Sequence, residues 1–67
     1  MMRGKVVELD EHSGLGVVEP DDGGRLGFHC TQIADGSRTI KVGTKVRFDV
    51  IPGNGGVWEA GALEPVG

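Results

Sequence analysis

Three side chains have the chemistry to ligate a metal or support a nucleophile: His12, His29 and Cys30. A cysteine nucleophile needs a base within hydrogen-bond reach, and His29 is the sequence neighbour of Cys30. Both fall in a segment with strand-like composition, and neighbours on a strand point to opposite faces. The pair therefore lacks the geometry for proton transfer unless the strand bulges. The same three residues lack the ligand spacing and the fourth ligand of a structural zinc site, so neither a metal nor any other cofactor is expected. A single cysteine also provides no intramolecular disulfide. Gly14-x-Gly16 is no dinucleotide fingerprint, because position 19 is Glu and no helix follows. No constellation supports catalysis. The expectation is a protein that is not an enzyme and has no small-molecule substrate.

Binding chemistry is better represented. Lys5, Arg25, Arg38, Lys45 and Arg47 could contact phosphate, and the planar guanidinium groups could also stack on bases. Lys5 is the leading candidate among them. His29 could stack on a base or donate a hydrogen bond. Trp58 is the only Trp. It shares strand parity with Ala60 and Ala62, which favours a place in the core or as a lid over an exposed anchor for a base or a protein partner.

Charge argues against indiscriminate phosphate binding. The 67 residues carry a formal charge of −3. Residues 1–35 hold three basic and seven acidic side chains, whereas residues 36–67 hold four basic and three acidic. A chain built to bind polyanions over its whole surface would be basic; here any phosphate site must be a local patch. The first residues, Met1-Met2-Arg3-Gly4, start no apolar run of the kind that makes a signal peptide or a membrane span. A cytoplasmic protein with no membrane partner is expected.

The elements that must position these residues are short strands. Nine valines and 13 glycines dominate the composition, a pattern of strands cut by tight turns. Strands are predicted over residues 3–9, 14–19, 26–30, 45–51 and 57–63. The fourth is the clearest, with Val46, Phe48 and Val50 alternating with Lys45, Arg47 and Asp49, as in a sheet buried on one face. Pro20-Asp21-Asp22-Gly23-Gly24 and Gly53-Asn54-Gly55-Gly56 have turn chemistry. Residues 31–42 read as a long loop opening with one helical turn. Five strands with a long connection after the third suit a closed or partly closed barrel better than a sandwich, which usually needs about seven, and a barrel also manages exposed sheet edges. The predicted core is Val6, Val18, Leu26, Phe28, Val46, Phe48 and Val50, in a single domain spanning residues 1–67.

Several segments in this order resemble the bacterial cold-shock domain. They are Gly4-Lys5-Val6, Pro20-Asp21-Asp22-Gly23-Gly24, Arg38-Thr39-Ile40, Gly43, Val46-Arg47-Phe48-Asp49-Val50 and Gly53-Asn54-Gly55-Gly56. The resemblance covers about sixty residues, with one residue missing in the long loop. It implies an all-β, five-stranded antiparallel OB-fold barrel that binds single-stranded RNA or DNA. In that family, bases stack on aromatics in the motifs Lys-Gly-Phe-Gly-Phe-Ile and Val-Phe-Val-His-Phe. Here the motifs read Ser13-Gly14-Leu15-Gly16-Val17-Val18 and Leu26-Gly27-Phe28-His29-Cys30, and the first-strand Trp-Phe pair is Glu8-Leu9. Gly14, Gly16 and His29 survive. The platform aromatics do not, and Phe28 falls where the family places an inward valine.

By this resemblance the nucleic-acid-binding positions are Lys5, Glu8, Leu15, Val17, His29 and Arg38, with Trp58 as an additional candidate. Stacking on an aromatic contributes ~1–3 kcal/mol per base, so losing three such contacts removes roughly 3–9 kcal/mol. Weak binding to single strands is the expected function. The alternative is a protein-interaction module that kept the barrel and lost the nucleic acid, with a protein as its partner.

Overall fold

A computed structural model describes residues 2–37 and 39–66. Five strands form: β1 (Met2–Asp10), β2 (Leu15–Pro20), β3 (Leu26–His29), β4 (Lys45–Pro52) and β5 (Trp58–Pro65). They close into a barrel in the order β1-β2-β3-β5-β4, with β4 pairing back onto β1. Every pairing is antiparallel except that of β3 with β5. This is the small barrel expected from the strand count, and it is consistent with the OB-type architecture that the cold-shock resemblance implied.

Alternation explains the core. Val6, Val18, Phe28, Val46 and Phe48 are buried on the inner face, joined by Ala60 and Leu63 of β5. The long loop contributes Ile33 and Ile40, which no strand period could have shown. A 3-10 turn, Cys30–Gln32, opens that loop. Ile33 then bridges to Leu63, and the Ala34 N–H donates to the Leu63 carbonyl at 2.8 Å. Asp10 holds the β1–β2 turn: its Oδ1 accepts from the backbone N–H of His12 at 2.9 Å and of Ser13 at 3.3 Å.

The structure corrects several expectations. Val50 is 39% exposed, not inward. It has inward parity but lies one step past Phe48, at an open end of the barrel beside Met2, Leu26 and Trp58. Leu26 is only half-buried for the same reason. Trp58 is 58% exposed and neither enters the core nor seals this end. Its parity with Ala60 is real, but Ala62 breaks it. Ala62 has φ +52° and is exposed, while Gly61 and Leu63 on either side are buried. The second strand starts at Leu15, because Gly14 is in a left-handed turn with φ +77°. The third strand ends at His29, not Cys30.

Candidate nucleic-acid interface

The outer face of β1, β2 and β3 is laid out in rungs. Asp10 faces Leu15, and Leu15 faces His29; Glu8 faces Val17, and Val17 faces Gly27. Lys5 lies opposite Glu19. Strict alternation would have turned Glu8 inward with Val6. A register shift between Val6 and Glu8 instead places Glu8 outside, opposite Val17. The bulge that the first strand needed is present.

Leu15 is the most prominent apolar group on this face, 59% exposed, and Val17 beside it is half-buried. A groove of about 480 Å³ on one side of Leu15 is lined by Glu8, Leu9, Asp10, Val17 and Val42. On its other side, Gly27, His29 and Glu59 line a groove of about 430 Å³. Gly16 forms part of both walls.

His29 is exposed, and its position is fixed locally. Its Nδ1 accepts from the Thr31 backbone N–H at 3.2 Å, capping the 3-10 turn, and lies 2.9 Å from Thr31 Oγ1. Gly14 leaves room beneath it: a Cβ there would fall 2.8 Å from Cys30 Sγ and 3.4 Å from His29 Nε2. Cys30 Sγ approaches His29 Nδ1 to 3.9 Å, closer than opposite strand faces would permit. The chain leaves the strand at His29, so alternation no longer applies. Among the described residues, no group of three or more His, Cys, Asp or Glu side chains is placed to hold a metal.

Acidic groups dominate the electrostatics. Glu8, Asp10 and Glu19 lie on this face, with Glu59 at its edge. Lys5 and Arg25 oppose them, and Arg25 is already engaged. Its guanidinium reaches across β2 to the Glu8 carboxylate at 3.3 Å, a pair more than 60% exposed on both sides. Exposed pairs of this kind contribute ~0–1 kcal/mol, so a phosphate could displace Glu8 at little cost. No aromatic stands on the face. Phe28 and Phe48 are buried, and Trp58 lies at the barrel end.

The structure therefore brings Lys5, Glu8, Leu15, Val17 and His29 to one surface and leaves Trp58 off it. Arg38 lies outside the described residues. Lys45 and Arg47 are on β4, on the other side of β1. Two residues escaped the sequence reading. Arg3 shares the outward parity of Lys5, a signal that was available. Glu59 reaches the face through the parallel pairing Gly27↔Glu59, which no local pattern announces.

Comparison with known proteins agrees with this architecture. The family model described as the 'Cold-shock' DNA-binding domain matches residues 2–62. The chain is 32% identical to the cold shock protein CspB of Bacillus caldolyticus over 65 residues, covering 96% of this chain and 98% of that protein. It is 38% identical to a cold shock-like protein of Thermotoga maritima over 56 residues, covering 82% and 85%. With the cold shock protein CspD of Bacillus subtilis it shares 33% identity over 57 residues, covering 84% and 86%. With the family model matching residues 2–62 and relatives about one-third identical over most of the chain, the chain belongs to the cold-shock domain family.

Proposed function

We infer that the protein binds single-stranded nucleic acid, RNA or DNA, through the outer face of β1, β2 and β3, and that it binds weakly. Family membership supports the ligand class: the matching family is described as DNA-binding. The absence of any aromatic from the three-strand face supports the weakness. Leu15 and Val17 supply apolar contact, His29 a hydrogen bond or a partial stack, and Lys5 a phosphate contact. None replaces the π-faces that contribute ~1–3 kcal/mol per base.

Fluorescence anisotropy with a labelled oligo-pyrimidine tests this reading. Affinity should be at least tenfold below that of an aromatic-rich cold-shock protein in the same buffer, about 1.4 kcal/mol. Equal affinity would mean that the bare face does not limit binding. No binding even at low salt would remove the nucleic-acid reading altogether. In that case the acid-rimmed apolar grooves beside Leu15 would favour the second reading, a surface that docks a protein.

A further inference from the structure

The core of the barrel is uncovered at one end. Each strand contributes one apolar residue of inward parity there: Met2 of β1, Pro20 of β2, Leu26 of β3, Val50 of β4 and Trp58 of β5. All five line a single groove of about 330 Å³. Two residues further into the barrel along each strand, Gly4, Val18, Phe28, Phe48 and Ala60 are buried. The end layer is less protected: Met2 and Leu26 are half-buried, Val50 is 39% exposed and Trp58 58% exposed. Gly23 and Gly24 in the β2–β3 turn leave the groove open to approach, with no atom within 4 Å of where their Cβ atoms would lie.

Contiguous apolar surface fed by all five strands is costly to leave in water. A core as small as that of 67 residues is usually supplemented by disulfides, a structural metal or oligomerisation. The single Cys30 provides no intramolecular disulfide. Among the described residues no side-chain cluster is placed to hold a metal. Association is the remaining route, and the charge of the groove suits a second copy of the chain as occupant. Its lining holds one acid, Asp22, and one base, Arg25, so it is locally neutral in a chain of formal charge −3. Two copies can meet here without the repulsion that their net charges impose elsewhere. About a two-fold axis the same patch serves both partners, which allows Asp22 of each copy to meet Arg25 of the other. The existing pair of Arg25 with Glu8, at 3.3 Å and largely exposed on both sides, is of the weak kind that exchanges readily.

We propose that the open end of the barrel, centred on Trp58 and Val50, is the contact surface of a reversible, two-fold symmetric dimer of this chain. A standard interface takes about 800 Å² from each partner, close to a fifth of this chain's 4319 Å². Five side chains supply less, so the dimer is weak and forms as concentration rises. Leu15, Val17 and His29 do not line the groove and remain uncovered in the dimer. Dimerisation is thus compatible with the single-strand binding inferred above and independent of it.

Sedimentation equilibrium of the full chain without nucleic acid tests the contact. The weight-average mass should rise from 7.0 kDa to at least half as much again by about 1 mM protein, as a dissociation constant of about 1 mM or tighter requires. Trp58 is the sole Trp, and its emission should shift to the blue over the same range. Trp58→Ser should hold the mass at one chain. Asp22→Arg and Arg25→Asp should each weaken the dimer at least about fivefold, and the two together should restore it to within about twofold, since the swap returns opposite charges to both contacts. These charge variants leave the apolar layer intact, and circular dichroism confirms that every variant is folded. A mass of 7.0 kDa at every concentration overturns the dimer and leaves the end layer to a different protein; oligonucleotide binding by that monomer would leave the function standing. Association that survives Trp58→Ser and the charge variants but is lost in Leu15→Ser also overturns it, because the contact is then the three-strand face. A dimer with these variant effects that binds no oligonucleotide supports the contact and removes the single-strand function alone.

Discussion

A Cβ added at Gly16 would fall 2.5 Å from the Phe28 ring and 2.8 Å from the Glu8 carbonyl oxygen, whereas at Gly27 the nearest atom would be 3.8 Å away. The two glycines sit on neighbouring strands with opposite parity, Gly16 turned toward the buried Phe28 ring and Gly27 outward opposite Val17, and only the first is required by packing. Gly16→Ala should destabilise the protein by about 1–3 kcal/mol, the usual effect of overpacking. Gly27→Ala should change stability by less than ~0.5 kcal/mol. Urea unfolding decides; equal effects would mean that the Phe28 ring moves freely beneath the face. At this scale the sequence was informative about residue type and less so about exposure. Leu15, Val17 and His29 were legible as outward residues, but Trp58 was not, because parity says which way a side chain points and not whether anything covers it.

Among the strands, β4 illustrates the same limit. Its alternation predicted the strand and the inward direction of Val46, Phe48 and Val50. Only the first two are buried, since the core ends at Phe48 and Val50 stands at the open rim. Val46→Ala should therefore cost about 2–3 kcal/mol, from lost burial plus a residual cavity, and Val50→Ala less than ~1 kcal/mol. Thermal or urea unfolding that ranks them the other way would contradict the placement of the rim. The irregular positions were less legible. The shift after Val6 that turns Glu8 outward, and the left-handed Ala62 that resets β5, arise from closing a short barrel. Long-range geometry of that kind leaves no local period. The Ala62 N–H finds its partner in Gln32 Oε1 at 3.2 Å, thirty residues away in sequence.

In the whole molecule, a chain of formal charge −3 pairs Arg3 with Arg47 and Lys5 with Lys45 across the β1–β4 ladder, while Glu8, Asp10 and Glu19 stand on the three-strand face. Gly14, Gly16 and His29 are present in this barrel, and the outer-face positions proposed to meet bases hold Leu15, Val17 and Glu8. The central claim is that the three-strand face remains a nucleic-acid platform, limited by the absence of aromatic rings. The most direct test is a triple variant, Glu8→Trp with Leu15→Phe and Val17→Phe, which leaves the interior unchanged. All three positions are now placed on one outer face, and removing Glu8 also releases Arg25 from its ion pair. Two restored stacks alone would supply about 2–6 kcal/mol. Non-additivity and the exposure of new aromatic surface reduce that, so the predicted result is a gain above tenfold in single-strand affinity, about 1.4 kcal/mol, part of which His29→Ala then takes back. A triple variant that is folded by circular dichroism and binds no more tightly than the unmodified protein would contradict the account.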